Sequence, residues 1–203
     1  PDDSSQVNPS AQKCTRRTYS STLGLSDLMR WQDMTTGGPL ERQTAIDAFV
    51  EAAQWFGDVA SGIDLEQIDS PGLGEWSLRE LIAHTSRAAS TVEEYHRPSP
   101  TDGKGAKDDD PLGMAGAYYA SAMHKPTLHA EVAERGRREA ELLGTDPRPE
   151  IRSRIERAIA VVRAAPEGAL FETRFGKVGF SGYLCTRTLE LVVHGFDVCA
   201  ALG

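Results

Sequence analysis

An all-α protein, a four-helix bundle with a long, partly helical crossover, is the fold this sequence predicts. Three observations predict it. Four segments, 40–61, 77–97, 147–165 and 181–202, carry apolar residues at helical rather than alternating spacing. Start and stop signals bound those segments independently of the spacing. Alternation is confined to Phe171–Val178, which reads as a short extended piece or a hairpin around Gly176 and not as a sheet.

The first helix, Leu40 to Ser61, repeats Ile46, Phe49, Val50, Ala53 and Phe56 along one face, and Gly62 stops it. The second starts at a capping box, Ser77 with Glu80, flanked by Trp76 and Leu81 at the positions of a hydrophobic staple. Its inner face reads Leu81, His84, Thr85, Ala88, Val92 and Tyr95, and it ends before Pro98. The crossover opens on a solvated loop, Pro98–Asp110, followed by a helix over Leu112–Met123 that Gly113 and Gly116 weaken. Pro126 restarts the chain, and Leu128–Leu143 is helical up to Gly144. Asp146-Pro147 opens the third bundle helix, which carries Ile151, Ile155, Ala158, Ile159 and Val162 and closes at Pro166-Glu167-Gly168. The last helix, Ser181 to Leu202, is apolar nearly all round, the pattern of a helix buried between others.

Two units follow. Residues 1–39 are polar and lack a sustained apolar face, so they read as a loosely ordered extension ahead of a helical bundle over 40–203. Within the extension, Thr22–Trp31 has the residues for a short helix, and Met34 reads as an ordinary protein start. A chain that begins without Met and stops inside its last helix reads as a fragment.

The 203 residues bear a formal net charge of −8, and most of the acidic surplus lies between Leu40 and Arg97. No basic stripe is present to neutralise phosphates, which argues against nucleic-acid binding. Three cysteines give an odd count without framework spacing, which fits a reducing compartment. Cys185 and Cys199 read as small apolar groups on the last helix. The N-terminus lacks the parts of a signal peptide and no run is long enough to span a bilayer, so a cytoplasmic protein without membrane contact is expected.

The chemistry concentrates on the last helix. Glu190 and His194 stand one turn apart on one face, within an otherwise apolar stretch. Taken alone, such a pair is more often structural, here a helix in which Arg187 pairs with Glu190. Embedding in Leu, Val and Phe changes the balance, because a buried carboxylate beside an imidazole needs compensation and a divalent metal supplies it. His84, on the inner face of an independently defined helix, completes three ligands from two helices. That is the number a catalytic zinc-type site uses, with one position open for water or substrate. Arg187 and Asp197 share the stripe and are candidates to orient Glu190 or His194. His96, His124 and His129 read as surface residues. The run Glu131, Glu134, Arg135, Arg137, Arg138 and Glu139 reads as a solvated helix face.

Three stretches resemble a known family. Glu75-Trp76-Ser77-Leu78-Arg79-Glu80-Leu81-Ile82-Ala83-His84 is similar to one helix of the mycothiol-dependent maleylpyruvate isomerase N-terminal domain, and Tyr183–Asp197 to another. Val132-Ala133-Glu134-Arg135-Gly136-Arg137 resembles a third, and the likeness runs from about Ile46 to the end. The resemblance implies a DinB-like four-helix bundle and a divalent metal, commonly zinc, held by His84, Glu190 and His194. It also implies a thiol-dependent transferase or isomerase, with mycothiol as cosubstrate and a small electrophile as substrate. Full-length isomerases continue into a C-terminal domain that contributes to the active site, whereas this chain stops at Gly203. The alternative is therefore a non-catalytic metal-binding or interaction module that lacks that half of the site.

Overall fold

The structure is a computed structural model, and it describes residues 41–99, 111–124 and 126–203. Its helices are α1 (Arg42–Ser61), α2 (Leu78–Tyr95), α3 (Pro111–Met123), α4 (Leu128–Leu143), α5 (Arg148–Ala164) and α6 (Phe180–Leu202). Three short strands join them: β1 (His96–Arg97), β2 (Leu170–Thr173) and β3 (Gly176–Gly179).

Four helices make the bundle. Going round it, α1 packs on α6, α6 on α2, α2 on α5, and α5 back on α1. Side-chain contacts fix the directions. Arg42 lies over Phe180 and Trp55 meets Gly195, so α1 and α6 run parallel. Tyr95 meets Tyr183 and His84 meets His194, so α2 and α6 are antiparallel. The core between them is Phe49, Phe56, Leu78, Leu81, Ile82, Ile151, Phe180, Tyr183 and Leu191 with their smaller neighbours. The long connection between α2 and α5 carries α3, which packs on α6, and α4, which packs on α2.

The local signals act as their chemistry requires. Ser77 and Glu80 close the capping box: the Ser77 N–H donates to Glu80 Oε2 at 2.7 Å, and the Glu80 N–H donates to Ser77 Oγ at 3.3 Å. Gly144 ends α4 at a φ of 71°, a backbone state that only glycine adopts freely. The helix α5 begins at Arg148, one residue later than the sequence suggests, with Pro147 at its cap position, and Asp146 Oδ1 accepts from the Arg148 N–H at 3.1 Å just ahead of it.

Two expectations are corrected. Phe171–Val178 is a hairpin with Gly176 at its turn, at a φ of 109°, but it belongs to a real antiparallel sheet of order β1-β2-β3. The third strand is two residues long and begins where α2 stops, with His96 opposite Phe171 and Arg97 opposite Leu170. Two residues carry no periodicity, so nothing in the sequence marks them. The second correction concerns α6. It is buried along most of its length, yet Leu189, Val193 and Phe196 are exposed on the side away from α2.

The readings of Thr22–Trp31, of Met34, of most of the loop Pro98–Asp110 and of Cys14 fall outside the described residues. Cys199 packs against the core as the sequence suggests but is also disulfide-bonded, whereas Cys185 carries a thiol. The cysteine count is then no argument for a reducing compartment. Among the described residues no helix is long and apolar enough to cross a membrane.

Candidate metal centre

The antiparallel contact of α2 with α6 brings residues from opposite halves of the chain together. His84 comes from the second turn of α2, which the capping box starts in register, and Glu190 and His194 from the middle of α6. His194 Nε2 lies 3.4 Å and His84 Nε2 3.9 Å from Glu190 Oε2. One ligand atom from each of the three lies within 4.8 Å of the others, a spacing that could hold one metal ion. All three side chains are about four-fifths buried.

The electrostatics suit a cation. Burial works against the Glu190 charge, but His194, Arg187 and Tyr119 together outweigh it and hold the carboxyl down at about 2. Burial, with the positive side chains of His194, Arg135 and Arg87, lowers His84 to about 4, so its ring is neutral and its lone pair available. His194 is moved the other way: burial lowers it, while Glu190 and Asp197 more than restore the loss. His84 Nδ1 is buried without a hydrogen-bond partner among the described residues, which costs free energy. Two imidazoles and a carboxylate, with one ring nitrogen backed by a second carboxylate, form a donor set that fits a zinc-type ion.

Of the two candidate orienting residues, Asp197 accepts from His194 Nδ1 at 2.9 Å, which leaves Nε2 turned toward Glu190. Arg187 is placed differently. Only 8% exposed, it donates to Thr186 Oγ1 at 3.0 Å and lies over the rings of Tyr183 and Tyr118. No ion pair joins it to Glu190 among the described residues, so the pairing expected of a salt-bridged helix is not made, and Arg187 acts on Glu190 through its charge.

Beside the triad opens a cavity of about 340 Å³ between α2, α3, α4, α6 and the hairpin turn. Tyr118, Phe175 and Tyr183 give it aromatic walls, and Arg135 and Arg187 bring guanidinium groups to it. Neither arginine has a carboxylate ion pair among the described residues. Burial, then Arg174 and Arg87, press the Arg135 guanidinium below its usual range, as befits a cation without a counter-ion. Arg135 is thus no part of a solvated face. Neither is Glu139, which is buried on α4 and pairs with Arg87 and, at 3.0 Å, with Arg154. Of the other histidines, His124 and His129 are exposed, while His96 is half-buried edge-on against Phe171.

Tyr119 is the site residue that the sequence did not disclose. Its hydroxyl reaches Glu190 Oε1 at 2.9 Å and the Thr186 carbonyl at 3.0 Å. Burial and the neighbouring Glu190 charge push its ionisation far above the ordinary phenol range, so it remains an O–H donor. It sits on α3, whose glycines and lack of an apolar stripe hide its inward face.

No curated protein and no solved structure matches the chain. The family model of the mycothiol maleylpyruvate isomerase N-terminal domain matches residues 49–199, from the first half of α1 to the last turn of α6, with all three candidate ligands inside. Over that span the chain belongs to the family of mycothiol maleylpyruvate isomerase N-terminal domains.

Proposed function

We propose that this bundle binds one divalent ion, zinc by preference, through His84, Glu190 and His194, and there activates a low-molecular-weight thiol such as mycothiol for transfer or isomerisation. The observation that carries the reading is the triad itself, three convergent ligand atoms beside a cavity large enough for a small molecule. The ion, when bound, would supply a positive charge that favours the thiolate over the thiol. The protein's residues do the rest. His84 enters neutral, and Asp197 holds the His194 ring in the tautomer that presents Nε2. Arg135 and Arg187 offer charge to an anionic group on the electrophile. The thiolate sulfur forms a bond to the electrophilic carbon as a π bond at that carbon opens and its electron pair moves onto the neighbouring atoms of the electrophile. A transferase would keep that bond and the product would take a proton from solvent; an isomerase would break it after rotation and return the thiolate. No cysteine or serine of the described residues lines the cavity, which agrees with a nucleophile brought in from outside.

A non-catalytic interaction module is the second reading, and one observation favours it. Leu189, Val193 and Phe196 are exposed on α6 beside Trp55, a surface suited to a protein partner. Incubation with zinc, mycothiol and a carboxylate-bearing electrophile separates the two. Metal-dependent formation of the thioether adduct or of an isomerised product is expected. Absence of both conjugation and thiol binding would leave the module.

A further inference from the structure

The triad's carboxylate has two oxygens, and the structure treats them differently. Glu190 Oε2 is the oxygen near both imidazoles, at 3.4 Å from His194 Nε2 and 3.9 Å from His84 Nε2. Oε1 instead meets the Tyr119 hydroxyl at 2.9 Å. That hydroxyl has one proton and two oxygens within reach, the other being the Thr186 carbonyl at 3.0 Å. A carboxylate is the stronger acceptor because it is charged, so the proton goes to Glu190. Thr186 O lies one turn before Glu190, where it serves the helix's own ladder.

We propose that Tyr119 is a positioning residue that occupies Oε1 of Glu190, so that the carboxylate offers a bound metal Oε2 alone and the fourth position stays open for the thiol. The proposal rests on the reading that His84, Glu190 and His194 hold the ion. A carboxylate free at both oxygens can bind a metal through two of them and so fill the position that a catalytic site keeps vacant. Among the described residues no other hydrogen bond is made at Oε1: Arg187 turns to the tyrosine rings, and Asp197 is engaged with His194. The crossover helix α3, which packs on α6, thereby reaches into the coordination of an ion whose ligands all belong to the bundle.

Cobalt(II) tests this, because its visible bands are strong when four-coordinate and weak at higher coordination. The parent, Tyr119→Phe and Tyr118→Phe are loaded with cobalt(II) and compared at equal occupancy, with Glu190→Ala/His194→Ala as the metal-free reference. Tyr118, the neighbour of Tyr119 on α3, is the control, since its ring packs on Tyr183 of α6 and on Phe175 of the hairpin turn. The expected result is strong bands in the parent and in Tyr118→Phe, and several-fold weaker bands in Tyr119→Phe. A chelator competition should also show Tyr119→Phe altered in cobalt affinity by about 10- to 100-fold, the usual reach of a ligand's hydrogen-bond partner. A Tyr119→Phe spectrum equal to the parent's overturns the proposal, and so does an equal change in Tyr118→Phe, which would signal packing alone. A parent that takes up no more cobalt than the double variant instead overturns the metal reading, and the proposal with it.

Discussion

His84, Glu190 and His194 each depart from their ordinary ionisation, and the departures give the metal-free protein a pH profile. His84 is lowered to about 4 from 6.5, so as the pH falls through that window the unfolded chain takes up a proton that the folded one refuses. Stability is lost between 6.5 and 4. Glu190, lowered to about 2 from 4.5, adds a loss of the same sign below 4.5. His194 is raised, so its contribution is present below 6.5 and fades as the pH rises through its folded value. Thermal melts of the metal-free protein should therefore fall on acidification from pH 6.5 to 4, and His84→Gln should flatten that branch. An unchanged slope in the variant would assign it elsewhere. Asp197→Asn keeps the size of the side chain but weakens its hold on His194, and should cost about 10- to 100-fold in zinc affinity by competition titration. The three candidate ligands were legible in the sequence because each sits on a strongly patterned helix, with Ser77 and Glu80 fixing the phase of His84. Tyr119 and Arg135 were not. What turns them inward is the placement of α3 on α6 and of α4 on α2, and no local spacing records that.

Among the elements, α4 is held to the bundle by a charged clip. Glu139 accepts from Arg87 of α2 and from Arg154 of α5, and Arg154 also donates to Ser86 Oγ at 3.2 Å. Glu139→Ala leaves two mostly buried guanidiniums without that partner and should cost about 3 kcal/mol, the low end for breaking a buried pair because both arginines keep some access to water. Chemical denaturation measures it. In the sequence this carboxylate looked like one more member of a solvated run, since charge alone does not tell a clip from a surface. The α1–α6 seam is tight for a different reason. A Cβ at Gly195 would stand 2.3 Å from the Trp55 ring, so Gly195→Ala must push the indole out of place. A loss of about 1–3 kcal/mol is expected, as for other overpacked contacts, and a denaturation midpoint equal to the parent's would show that Trp55 yields freely. Gly195 lies between His194 and Phe196, so the same glycine lets α6 show its ligand face to α2 while its back approaches α1.

For the whole molecule, the four helices and the helical crossover followed from apolar spacing and cap residues, whereas the sheet did not, because β1 exists only where β2 offers it an edge. A chain begun at Met34 is expected to bind zinc as the parent does, since the residues before it carry no candidate ligand but Cys14; weaker binding in a competition titration would overturn this. The order of the helices along the chain also has a consequence in time. The bundle closes by α6 settling between α1 and α2, and α6 is the last described element to be made. At synthesis rates of about 5–20 residues per second, the 110 residues from His84 to His194 take on the order of 5–20 s. Throughout that interval the nascent chain holds one imidazole of the triad and an unclosed core. Binding of an ion at the proposed site then waits until α6 has been made, in the same event that completes the core.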